Sequence, residues 1–131
     1  MVIPRADIIA AAGLGSALGA VVRYGIAVVV VAADPVGFPW ATLLANGLGS
    51  LLIGFIAAAG APYGRWPLSE PMRHFLVTGF CGGFTTFSIF SLEMISLAAG
   101  GAAGLAAGYL AASLIIWMAG VWLGWTLGER L

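Results

Sequence analysis

Residues 79–90 read G-F-C-G-G-F-T-T-F-S-I-F, inside a stretch otherwise apolar enough to cross a membrane. Three glycines, two adjacent threonines and phenylalanines three residues apart make a poor lipid-facing helix. Glycine weakens a helix interior, and backbone groups freed at membrane depth must find partners in protein, water or an ion. The chemistry open to such a run is ion coordination by carbonyls and hydroxyls.

Other polar residues extend this reading, because each intramembrane polar group costs free energy unless it is partnered. Thr42, Asn46 and Ser50 fall at i, i+4 and i+8, which is one helical face. The amide of Asn46 offers two donors and an acceptor near mid-membrane. It can glue helices by hydrogen bonding, but its alignment with two hydroxyls favours a polar track. Tyr109 and Ser113 lie one turn apart and can extend that track; Tyr109 also reads as an interfacial anchor. Arg23 lies about 23 Å along its helix from Ile8. It can snorkel to the far interface or face a wet vestibule beside Tyr24 and Gly19, and the vestibule is the preferred reading. Glu93 is open to the same two readings, and His74 reads as structural. Phe84, Phe87 and Phe90 form a stripe at helical spacing that ordinary packing explains. Where they adjoin the glycine-threonine run, however, their positive ring edges can receive an anion. With Asn46, Ser88 and the other hydroxyls, the lining is rich in donors and poor in acceptors. That favours a small anion.

The elements that must position these groups follow from composition. A soluble domain carries about 25% charged residues. At 62% hydrophobic and 8% charged, this chain could not cover its surface in water. A crossing needs about 20 helical residues, so 131 residues hold four crossings and no soluble domain. The expected fold is an all-α integral membrane domain with helices near 8–31, 40–61, 71–99 and 102–127. The third is expected to be interrupted around residues 82–86. Residues 32–39 form a turn-rich loop with two prolines, and Trp40 sits at interfacial depth. Ser69, Glu70 and Pro71 make a helix start with a capping hydroxyl, an acid and an early proline. Residues 1–9 show no cleavage pattern, so the first helix is expected to be retained.

Small residues recur every four positions at Gly15 and Gly19, at Gly100, Gly104 and Gly108, and at Gly120, Gly124 and Gly128. Lipid offers no hydrophobic drive between helices, and close backbone approach through small residues supplies packing instead. Four helices enclose little interior, so a dimer is expected, two-fold symmetry being the commonest solution. Zero net charge without a basic tract gives nucleic acid nothing to bind. A single cysteine, Cys81, and a single histidine supply no triad, dyad or side-chain metal cluster, so an enzyme is not expected.

Four stretches together resemble the Fluc, or CrcB, family of fluoride channels. They are G-A-V-V-R-Y (19–24), T-L-L-A-N-G-L-G-S (42–50), the 79–90 run with Glu93 beyond it, and Tyr109 with Ser113. The resemblance implies passive export of fluoride across the cytoplasmic membrane by a dual-topology dimer, two subunits lying in opposite orientations. It implies a structural sodium ion held by the carbonyls of Gly82 and Thr85 from both subunits. Phe87 and Phe90 would be the pore phenylalanines, with Asn46 and Ser88 on the pore. Tyr109 and Ser113 would line its track, and Arg23 its vestibule. Ile89 departs from the family, which commonly has threonine there.

With four crossings, Arg5, Arg65, Arg73 and Arg130 share one side against Arg23 on the other. That imbalance favours a single orientation and keeps open a heterodimer with an oppositely oriented sister subunit. The rival reading is a small dimeric multidrug-type transporter. It needs a membrane-embedded acid, and the first helix offers only Asp7 at its margin.

Overall fold

The computed structural model describes residues 5–34 and 37–130. Pro35, one of the two prolines expected in the first loop, lies outside them. Four helical crossings are long and apolar enough to span a membrane: Ala6–Ala33, Trp40–Ala59, Glu70–Ala99 and Ala103–Glu129. We label Ala6–Ala33 α1 and Trp40–Ala59 α2. The third crossing divides into α3 (residues 70–84) and α4 (Phe87–Ala99), and the last is α5 (Ala103–Glu129). In water the valine run Val28–Val31 would favour a strand. In hydrocarbon a lone strand leaves its backbone unsatisfied, so the run stays helical.

The beginning of α3 differs from expectation in one respect. Pro71 occupies the first turn, but the Ser69 hydroxyl makes no capping bond. The start is tied down instead by Arg5, whose guanidinium donates to Glu70 at 2.9 Å and to Asp7 at 2.7 Å. This exposed cluster puts the beginnings of α1 and α3 on the same side, as four crossings require. From His74 to Cys81 the helix is wound as a π-helix, each bond reaching five residues rather than four.

Packing is organised in pairs. The most extensive contact joins α2 to α5; α1 lies along α3, and α4 along α5. Glycine sets both long seams. A Cβ at Gly19 would meet the Phe80 carbonyl, and one at Gly124 the Leu51 carbonyl. Facing them, Gly83 abuts the Ser16 carbonyl and Gly54 that of Val121. The second expected stripe packs no other helix of the described chain: Gly104 and Gly108 have no heavy atom within 4 Å of where a Cβ would stand. Gly101 serves the turn before α5, at φ 84°, a conformation that glycine adopts freely.

Candidate functional site

The third crossing opens at Thr85 and Thr86, both in extended conformation (ψ 160° and 125°). The expected interruption over residues 82–86 is thus narrower, since Gly82–Phe84 remain helical. Two glycines lower the cost of leaving the helix, and two β-branched threonines favour the extended region. The second threonine then caps the new helix, its Oγ1 accepting from the Ile89 N–H at 3.2 Å.

Asn46, from α2, holds the opening. Its Nδ2 donates to the Thr86 carbonyl at 2.8 Å, and its Oδ1 accepts from the Thr86 N–H at 2.7 Å. The helix-gluing role and the ion-site reading therefore meet in one residue. In an unbroken helix the Thr86 N–H would bond to the Gly82 carbonyl, and the Ile89 N–H to that of Thr85. Asn46 takes the first donor and the Thr86 hydroxyl takes the second. The carbonyls of Gly82 and Thr85 are thereby deprived of their helical partners by two named side chains. Arg23 neither snorkels nor floats free: its Nε donates to the Gly83 carbonyl at 3.2 Å. Tyr24, expected beside it in a packed site, is exposed.

A second cluster lies one turn away along α2. Thr42 donates to Glu93 Oε1 and Tyr109 to Glu93 Oε2, each at 2.7 Å. Tyr109 is fully buried, so it is no interfacial anchor. Glu93 is likewise no surface acid, because both of its oxygens are engaged inside the bundle. Phe90 is buried against this cluster, with ring centroids 5.0 Å from Tyr109 and 4.9 Å from Trp117. Phe87, 5.7 Å from Phe90, faces outward and is 70% exposed. Ser88 is also exposed, its Oγ 3.3 Å from Thr86 Oγ1. Ser113 is buried, and neither its Oγ nor Trp117 Nε1 has a hydrogen-bond partner among the described residues. His74 Nδ1 lies 3.2 Å from the Thr78 hydroxyl one turn along its own helix.

Between these elements runs a groove of about 490 Å³, bordered by Asn46, Ser50, Thr78, Thr85, Phe87 and Trp117. The expected residues thus fall into an opening gathered around Asn46 and a cluster around Tyr109 and the Glu93 carboxylate, with Thr42 and Asn46 linking them along one helical face. Sequence reasoning missed Trp117, although it lies four residues past Ser113 on the same face. It also left the central place of Glu93 undecided.

Four apolar crossings, one opened over backbone that side chains satisfy, define a multi-pass helical membrane protein whose irregular backbone borders a cavity. The chain belongs to the CrcB family: the family model described as "CrcB-like protein, Camphor Resistance (CrcB)" matches residues 10–125. It is 44% identical over 116 residues to "Fluoride-specific ion channel FluC 1" of Bradyrhizobium diazoefficiens, across 88% of this chain and 80% of that one. It is 45% identical to "Fluoride-specific ion channel FluC" of Opitutus terrae, across 85% and 84% of the two chains. For the protein of that name from Agrobacterium fabrum the identity is 46%, across 94% and 97%.

Proposed function

We propose that this chain is a passive, fluoride-selective channel of the cytoplasmic membrane that lowers internal fluoride. Among its geometric features, one carries the reading: a polar line through the bundle that offers donors and ring edges, while its single carboxylate is already occupied by two hydroxyls. Such a line suits a small, strongly hydrated anion, whose dehydration only clustered donors can offset. The fluoride-specific names of the relatives point the same way. In acid surroundings fluoride enters a cell as neutral HF and ionises inside. Export driven by the membrane potential is then sufficient, without catalysis. The multidrug-transporter alternative is not favoured, since Asp7 is exposed and paired with Arg5.

The working unit we infer is a dimer of oppositely oriented subunits. The groove opens on the outside of the bundle with Asn46, Ser50, Thr85 and Thr86 on its border, and a second copy would cover these intramembrane polar groups. Gly82 is exposed, with open space where a Cβ would stand. Its carbonyl and that of Thr85 fit a sodium ion in kind, because hard cations take oxygen ligands, and a second copy would supply the matching pair. Bound there, sodium would add a fixed positive charge beside an anion path. A homodimer is the first expectation, and the one-sided arginines keep a sister subunit open as partner; a C-terminal reporter in single orientation, with no partner present, would argue against the homodimer.

The test is ion efflux from liposomes containing the purified protein, read with a fluoride electrode and repeated for chloride. Fast fluoride release with negligible chloride release is expected. Absence of fluoride release from folded protein, alone and with a sister subunit, would refute the proposal.

A further inference from the structure

Two polar atoms deep in the bundle, Ser113 Oγ and Trp117 Nε1, have no hydrogen-bond partner among the described residues. Native structures seldom leave such groups uncompensated, and each exception calls for a cause. Both residues lie on α5, four positions apart and so on one face, with Tyr109 the next turn along. Ser113 is 1% exposed, and the indole nitrogen is hidden although the rest of Trp117 is only half-buried. An indole N–H donates and cannot accept, so its missing partner must be an acceptor. The Ser113 hydroxyl can turn to make a second donor to the same guest. Phe90 walls the place on one side, its ring inclined 69° to Trp117. On the other side, Trp117 borders the groove beside Asn46 and Thr86. The Glu93 carboxylate is not its acceptor in this arrangement: its hydrogen bonds come from Thr42 and Tyr109.

We propose that Trp117 is an anion-binding residue. Its indole N–H and the Ser113 hydroxyl form a two-donor station for a small dehydrated anion, fluoride in the first instance. The station lies between the groove at Asn46 and the Tyr109–Glu93 pair. This assignment rests on the channel reading for its choice of anion, but its donor geometry stands independently of ion passage.

The test uses the whole protein in detergent with its five tryptophans labelled at the indole nitrogen. Nitrogen–proton NMR spectra are followed as sodium fluoride is added, and again with sodium chloride. One indole signal is expected to move with fluoride and not with chloride, and to be the signal missing from Trp117→Phe. Should that variant fail to fold, the single variants Trp40→Phe, Trp66→Phe, Trp122→Phe and Trp125→Phe assign the signal by elimination. In liposomes, Trp117→Phe is expected to slow fluoride efflux by about tenfold, the equivalent of one hydrogen bond to a charged acceptor. A Trp117 signal that stays put throughout the fluoride titration overturns the station, and with fast wild-type efflux the channel reading survives it. A fluoride-dependent shift without any efflux, alone and with a sister subunit, would keep the station and sink the channel reading.

Discussion

Replacing Asn46 with alanine is the most informative perturbation of this chain. The Thr86 peptide group has both its N–H and its C=O bonded to one side chain, so a single truncation orphans a donor and an acceptor together. Two reference scales disagree about the cost. Interhelical hydrogen bonds in membranes average only about 0.6 kcal/mol, because the unfolded reference also finds partners, and two of them would give about 1 kcal/mol. Leaving a buried group unsatisfied costs about 1–3 kcal/mol, which for two groups gives about 2–6 kcal/mol. The extended backbone at Thr85 and Thr86 offers neither group a helical substitute unless the opening closes, so the larger scale should dominate at its low end. A loss of about 2–4 kcal/mol is expected for Asn46→Ala, measured as reversible unfolding in mixed micelles. Asn46→Asp keeps the acceptor for the Thr86 N–H but sets a carboxylate oxygen against the Thr86 carbonyl. It should therefore destabilise as well, and slow fluoride efflux by adding a repelling charge. A loss below about 0.5 kcal/mol in the alanine variant, the level of an ordinary surface change, would refute the idea that Asn46 holds the opening.

Three further outcomes are expected. Phe87→Ile and Phe90→Ile should each slow fluoride efflux; with aromatic-edge contacts worth about 0.5–1.5 kcal/mol, the loss is roughly two- to tenfold, and unchanged efflux in both would remove the rings from the path. Gly19→Val should cost on the order of 1–3 kcal/mol or more, because its side chain would enter the Phe80 carbonyl. Gly108→Val faces open space and should leave the fold of one subunit intact, so equal yields of monodisperse protein on gel filtration would contradict the packing described. Tyr109→Phe and Thr42→Val should each cost about 1 kcal/mol. The double variant should lose more than their sum, since Glu93 would then have neither partner; additivity in a thermal-shift series would argue that the two hydroxyls do not share the carboxylate.

Much of this architecture could be read from residue order. The four crossings follow from apolar length alone, and glycines and threonines at 82–86 marked the opening to within three residues. The fate of Asn46 could not be read, because its partner is a peptide group 40 residues away, and only the assembled bundle brings the two together. The same holds for Arg23, whose bond to a backbone carbonyl 60 residues away, that of Gly83, no local pattern announces. Glycine spacing pointed correctly to the seams at Gly15, Gly19, Gly120, Gly124 and Gly128. At Gly104 and Gly108 it marks a smooth face that no other helix of the described chain occupies. Trp117 escaped notice for a related reason: an indole reads as bulk and interfacial anchoring until its nitrogen is found buried and unmatched.

The π-wound segment His74–Cys81 gives α3 an unusual arithmetic. Along α1, Gly15 meets the backbone at Phe75 and Phe80, and Gly19 meets it at Phe80 and Phe84. By the carbonyl that each glycine meets, α3 advances five residues, from Phe75 to Phe80, while α1 advances four, from Gly15 to Gly19. One residue of chain has been taken up without lengthening the seam. In a helix wound throughout on four-residue bonds, that residue would swing everything beyond it by about 100°. Gly83 would then turn from Ser16, and the Thr85–Thr86 opening would turn from Asn46. The wide turns thus work as a vernier between two ends of one crossing, setting the azimuth of the opening independently of where the crossing is anchored at Arg5. Removing one residue between His74 and Cys81 should therefore convert the segment to ordinary helix and leave both ends in register, whereas the same deletion between Gly82 and Phe84 would turn the opening away from its clasp.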